Sequence, residues 1–178
     1  MLTKDNTGLI IVDVQGKLSE IVHESSALFE QVKRLVNGAN LMQLPVICLE
    51  QLPAKLGKTR PDIAELLVED AFEKSTFSGW RTKAIAEKIK EAGCEHWLVV
   101  GIEAHVCVYQ TVADLLDNGF IIHLVTDAIS SRVLANKELA INKMASLGAN
   151  LTSVEMALFE LQEIAEGEDF RQLIQIVK

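Results

Sequence analysis

The sequence predicts an α/β fold: one domain over residues 1–178, layered α/β/α, with a mostly parallel sheet of five to six strands. Two observations carry that prediction. Short apolar runs rich in Val and Ile alternate with longer segments whose apolar residues recur at helical spacing. Repeated β-α units of this kind build a parallel sheet through right-handed crossovers, with helices on both faces. No linker or low-complexity tract interrupts the alternation, so a single Rossmann-like unit accounts for the length.

The first strand reads Thr7-Gly-Leu-Ile-Ile-Val-Asp13-Val-Gln15, followed by a loop from Gly16 to Glu24. A helix from Ser25 to Gln43 presents Leu28, Val32, Leu35, Val36 and Ala39 as one apolar stripe. Pro45-Val-Ile-Cys-Leu-Glu50 is the second strand, with Cys48 in the core. From Gln51 to Gly79 periodicity is weak, and only Pro61 to Leu67 reads as a short helix. A long irregular segment in a compact domain is usually functional or disordered, and this one, since it carries Lys74, is read as the wall of a site.

A helix from Trp80 to Glu91, closed by Ala92-Gly93, leads to the strand His96-Trp-Leu-Val-Val-Gly101. The next helix, Val106 to Asp117, stops at Asn118-Gly119. Then come a strand from Gly119 to Thr126, a loop from Asp127, a helix from Asn136 to Leu147 and a short strand from Ala149 to Ser153. Helices at Val154–Ala165 and Asp169–Val177 close the chain. Five strands stand out; a sixth is expected at Ala71-Phe72 or at the extreme carboxyl terminus.

Composition narrows the functional classes. A net charge of −8 argues against nucleic acid as a partner held by a basic field. No segment reaches the ~18 apolar residues of a membrane span. Three cysteines, Cys48, Cys94 and Cys107, are odd in number and unevenly spaced, which argues against a disulfide framework. The amino-terminal residues lack a signal-peptide pattern, and a reducing cytoplasmic setting suits the whole. No clustered histidine or carboxylate spacing points to a metal, and no cofactor is expected.

Cys107 follows a buried strand and opens a helix, where unsatisfied backbone N–H groups and the helix dipole favour a thiolate, the nucleophilic form. The same N–H groups suit the oxyanion of a tetrahedral intermediate. Asp13 closes the first strand, and in open α/β sheets the ligand crevice lies beyond the carboxyl ends of the strands. Asp13 and Cys107 are therefore expected at the same sheet edge. Lys74, in Lys74-Ser-Thr-Phe77-Ser78, lies in the irregular wall.

Three segments in register, Leu9-Ile-Ile-Val-Asp13-Val-Gln15, Lys74-Ser-Thr-Phe77-Ser78 and Gly101-Ile-Glu-Ala-His-Val-Cys107-Val108, resemble the isochorismatase-like cysteine hydrolases over nearly the whole chain. The run Leu49-Glu50-Gln51-Leu-Pro53-Ala-Lys-Leu-Gly57 is closest to the YcaC-like and isochorismatase domain-containing branch. The resemblance implies a catalytic Asp–Lys–Cys triad at Asp13, Lys74 and Cys107. It also implies a cis peptide at Ile102-Glu103, which sets the Glu103 N–H beside that of Cys107 as an oxyanion hole, a six-stranded sheet, and a homo-oligomer, dimer or larger. Nicotinamidases place an Asp-x-His metal motif after the second strand; this chain has no histidine there.

The implied reaction is metal-free acyl transfer on a small amide, carbamoyl or related carbonyl substrate through a thioester. Candidate substrate contacts are Gln15, Glu50, Gln51, Phe77 and Trp80. His105 is read as a packing or subunit contact and Arg132 as a partner for a carboxylate. Vinyl-ether hydrolysis of the isochorismate type is the competing enzymatic reading, and Cys107 argues against it. A non-catalytic scaffold on the same fold is the other alternative, and the intact triad argues against that.

Overall fold

The computed structural model describes all residues, Met1–Lys178. Its centre is a six-stranded, all-parallel sheet in the order β3-β2-β1-β4-β5-β6. The strands are β1 (Thr7–Val12), β2 (Val46–Gln51), β3 (Phe72–Lys74), β4 (His96–Ile102), β5 (Ile121–Ser130) and β6 (Asn150–Thr152). The sixth strand is β3, a three-residue edge in register with β2, where Gln51 faces Lys74. Its brevity and its exposed Glu73 hid it from the apolar pattern.

Along β1 the side chains alternate between two cores. Leu9 and Ile11 join the larger cluster with Leu28, Val32, Leu35 and Val36 of α2 (Ser25–Leu41), Leu158 of α8 (Val154–Gln162) and Leu173 of α9 (Glu168–Val177). Ile10 and Val12 join Trp97 and the helices on the opposite face: α5 (Lys83–Glu91), α6 (Tyr109–Asp117) and α7 (Leu134–Ser146). Strands buried on both faces read as continuous apolar runs, which is why β1 and β4 were visible in the sequence.

Several boundaries differ from expectation, each for a local reason. The expected loop from Gly16 contains α1 (Leu18–Ile21), and the irregular wall contains α3 (Pro53–Leu56) and α4 (Pro61–Ala64), single turns too short to show a period. The helix expected from Trp80 begins instead as a 3₁₀ turn, Gly79–Arg81, and turns α-helical only at Lys83. The helix expected from Val106 is preceded by a π-helical turn, Ala104–Val108. β5 continues four residues beyond Thr126, its pairing with β4 shifting register between Val99 and Gly101.

Gly101 lies at the edge of that shift. Its φ is +118° and a Cβ there would lie 2.0 Å from the Val12 carbonyl oxygen, so only glycine lets β4 pass so close to the end of β1. Strand order reverses between β1 and β4, and the crevice of such a sheet opens at that switch point. No helix is long and apolar enough to cross a membrane.

Candidate active site

Asp13 follows the last residue of β1 with φ +50°, a left-handed conformation that Asp tolerates better than most residues. Asp13 Oδ2 accepts a hydrogen bond from Lys74 Nζ at 2.8 Å. The ammonium also donates to Gln51 Oε1 at 2.7 Å and to the Thr76 carbonyl at 3.3 Å. These acceptors occupy all three of its donors. Lys74 is thus a fully coordinated, buried clamp on the carboxylate. Asp13 Oδ1, by contrast, is buried and accepts no hydrogen bond.

Cys107 sits inside the π-helical turn, where the N–H groups of both Val106 and Val108 donate to the Glu103 carbonyl at 3.0 and 3.3 Å. Such turns recur at functional sites. The thiol and Asp13 line one pocket of about 330 Å³ together with Gln15, Gln51, Phe77 and Glu103. The peptide bond Ile102–Glu103 is cis.

The electrostatics differ from the expected thiolate. Burial, then the neighbouring Asp13 carboxylate, push the Cys107 thiol from an ordinary 9.0 up to about 12, and Lys74 only partly offsets them. These surroundings favour the thiol over the thiolate. The helix start lends the sulfur little help, because the first α-helical residue is Tyr109, two residues beyond the cysteine, while burial favours the neutral form. Burial also raises the Asp13 carboxyl above its usual range, with Lys74 opposing. Cys48 is likewise raised to about 12 by burial and contacts Thr59 inside the core.

The flanking residues sort into contacts and supports. Gln15 lines the pocket, yet its amide is consumed by backbone. Nε2 donates to the Gln51 and Gly57 carbonyls at 2.9 and 2.6 Å, and Oε1 accepts from Gln51 N at 2.6 Å. Gln51 lines the pocket while holding Lys74 and, through Nε2, the Ser75 carbonyl at 2.9 Å. Phe77 is 54% exposed at the rim.

Two expected contacts are not there. Glu50 points away from the thiol pocket: its Oε1 accepts from Thr59 N and Oγ1, and it lines a separate cleft of about 630 Å³ that shares no lining residue with the thiol pocket. Alternation along β2 sends Glu50 and Gln51 to opposite faces. Trp80 packs edge-to-face on Phe120 at 5.4 Å and under Lys90, outside the pocket, because the 3₁₀ turn carries it onto the helical layer.

His105 shares a hydrogen bond of 2.9 Å with Ser131 Oγ, a packing role. Arg132 pairs with Glu103 at 2.9 Å, and its backbone N–H donates to the same carboxylate, so the segment just after β5 anchors the turn that carries Cys107. Lys17, Leu18, Lys55, Leu56, Ile102 and Val106 complete the pocket. Apart from Ile102, named for the cis peptide, sequence reasoning missed them, since nothing in their type or spacing marks them; only the proximity of Lys17 to Gln15 was a signal.

Fold and pocket together define a three-layer α/β/α protein with its crevice at the switch point of the sheet. Residues 7–156 match the Isochorismatase domain model. The chain belongs to the isochorismatase family. It is 31% identical over 176 residues to the secreted isochorismatase effector Isc1 of Phytophthora sojae, covering 96% of this chain and 83% of that protein. Among solved structures it is similar to MAR1 ribonuclease from Caenorhabditis elegans, with TM-score 0.92, 31% identity and coverage of 99% and 91% of the two chains. The YcaC gene product of Escherichia coli, described as an octameric hydrolase of unknown specificity, shares the fold with TM-score 0.91 at 21% identity, over 98% and 89% of the chains.

Proposed function

We propose that the chain is a cysteine hydrolase that cleaves a small amide, carbamoyl or related carbonyl compound through a Cys107 thioester, without a metal or other cofactor. The observation that carries this reading is the pairing at Asp13: one carboxylate oxygen is clamped by Lys74, the other is buried without a partner, and a neutral thiol shares its pocket. A buried, unpartnered lone pair in the same pocket as a thiol is placed to take its proton as general base.

In the proposed first step the Cys107 sulfur attacks the carbonyl carbon as its proton passes to Asp13 Oδ1. The C=O π pair moves onto oxygen, which is held by the backbone N–H groups of Glu103 and Cys107. Collapse re-forms the carbonyl and breaks the bond to the leaving nitrogen, which takes the proton back from Asp13. Water, deprotonated by Asp13, then attacks the thioester; the sulfur leaves and is reprotonated. Lys74 stays on Oδ2 throughout, keeping the carboxylate ionised at the start of each cycle and aimed at the sulfur. Because the resting sulfur is neutral, proton transfer and attack are coupled.

A pocket of about 330 Å³ fits a small molecule. Its size and the chain's net charge of −8 favour that over RNA, the substrate class named for the C. elegans neighbour. The octamer described for E. coli YcaC supports a homo-oligomer here. The test is a panel of amides, carbamoyl compounds and small esters, with mass spectrometry to trap the acyl group on Cys107. Turnover that survives Cys107→Ala would refute covalent catalysis.

A further inference from the structure

Three carboxylates of the chain are buried: Asp13, Glu50 and Glu103. Asp13 pairs with Lys74 at 2.8 Å and Glu103 with Arg132 at 2.9 Å. Glu50 is 8% exposed, and its only partners are the neutral N–H and hydroxyl of Thr59, at 2.6 and 2.7 Å. An exposed acid without a cation is commonplace, because water solvates it. A buried one is not, because its desolvation is otherwise uncompensated.

The Glu50 carboxylate is fixed in place. Both bonds from Thr59 fall on Oε1; Oε2 accepts none and opens on the cleft of about 630 Å³ across β2 from the thiol pocket. Thr59 is itself held by its bridge to Gln15, and the next residue by the Arg60 N–H on the Val14 carbonyl at 2.9 Å. Cys48 Sγ lies 3.6 Å from Thr59 Oγ1. Since the Thr59 hydroxyl gives its proton to Glu50, the Cys48 thiol is the donor in that contact. Glu50 Oε2 is the open end of an otherwise filled chain of hydrogen bonds.

The rest of the cleft says what would fill it. Its other charged lining is Lys58, Glu69 and Asp70, all exposed. Glu69 is taken by Lys88 at 2.7 Å, and Lys58 offsets one of the two remaining acids, which leaves one negative charge in excess. Pro61, Ala64, Leu67 and Ala71 supply an apolar wall. A metal ion fits poorly: hard cations take six or more oxygens, and no three His, Cys, Asp or Glu side chains converge to hold one.

We propose that this cleft binds a small organic ammonium compound, its –NH₃⁺ on Glu50 Oε2 and its hydrocarbon along Pro61, Ala64 and Leu67. The ammonium supplies to Glu50 what Lys74 and Arg132 supply to the other two buried carboxylates. A charge-assisted hydrogen bond to a carboxylate already fixed by Thr59 costs little further ordering. The site stands apart from the Cys107 chemistry, since the two cavities share no lining residue.

The probe is n-butylammonium chloride, with n-butanol as its neutral counterpart and sodium chloride as the ionic-strength control. Heteronuclear NMR of the isotope-labelled whole protein follows the amides, and the Thr59 N–H reports directly because it donates to Glu50. Saturable shifts at Thr59 and Ala71 are expected with butylammonium and with neither control. Glu50→Gln keeps an oxygen for Thr59 and places an amide where Oε2 was; binding is expected to weaken by roughly ten- to a hundredfold, the loss of one charge-assisted hydrogen bond. Ala64→Leu, on the exposed wall, narrows the cleft without touching Glu50 and is expected to weaken binding severalfold, which keeps the test intact if Glu50→Gln fails to fold. Equal shifts with n-butanol, shifts that never saturate, or undiminished binding to either folded variant overturn the assignment. Calcium or magnesium chloride that saturates the same amides and displaces butylammonium also overturns it, making the cleft a metal site.

Discussion

The neutral thiol is the boldest consequence of the site, and Cys107→Ala exposes it through stability. Cys107 is 8% exposed, and its thiol is raised from 9.0 in an ordinary setting to about 12 in the fold. Between those values the folded chain holds a proton that the unfolded chain has released, so stability falls as pH rises through the window from 9 to 12. At pH 11 the loss from this one group works out at about 3 kcal/mol. The variant lacks the group and escapes the loss, while Cys48 and Cys94 contribute equally to both proteins. Urea unfolding of wild type and variant from pH 7 to 11 is therefore expected to converge or cross as pH rises, the wild type losing more. Thiolate absorbance near 240 nm gives a second readout, as the difference between the two proteins. Parallel stability curves, or a thiolate step of Cys107 below pH 9, would refute the account of a desolvated thiol activated only during attack.

Four further outcomes follow from the same geometry. Asp13→Asn removes the base and leaves the Lys74 ammonium buried beside a neutral amide; turnover is expected to fall by about 10²–10⁴-fold and stability by about 3–5 kcal/mol, measured by steady-state kinetics and chemical unfolding. Because burial raises the Asp13 carboxyl, the acid limb of kcat/KM in the wild-type protein is expected above the ordinary 3.8, with activity gained as pH rises through it; a limb at or below that value contradicts the role. Gln15→Leu strips three hydrogen bonds from the joined loops; KM is expected to rise more than kcat falls, with about 1–3 kcal/mol lost in thermal unfolding. Gly101→Ala forces a Cβ to 2.0 Å from the Val12 carbonyl at φ +118°; soluble yield and melting temperature are both expected to collapse, and a native-like melt would show that the two strands can separate there.

How much of this was legible depends on how local each cause is. Strands buried on both faces, such as Leu9-Ile-Ile-Val and Trp97-Leu-Val-Val, announce themselves as apolar runs, and α2 shows its stripe at helical spacing. The short turns α1, α3 and α4 and the edge strand β3 have too few residues to display a period. The positions of Asp13, Lys74 and Cys107 along the chain were readable, because each closes or follows a strand or belongs to a distinctive segment. Glu50 and Trp80 were misplaced, since one residue of alternation along β2 and one 3₁₀ turn decide which way they face.

Taken by itself, the sequence determined the layer architecture, the family and the identity of the three polar residues that meet at the carboxyl edge of the sheet, because periodicity and strand ends are properties of neighbouring residues. Only the tertiary structure decided the burial of the sulfur, the clamp on Asp13 and the conversion of Gln15 from a candidate contact into a fastening between loops. Those depend on burial and on partners dozens of residues away, and desolvation free energy acts on groups brought together in space whatever their separation along the chain.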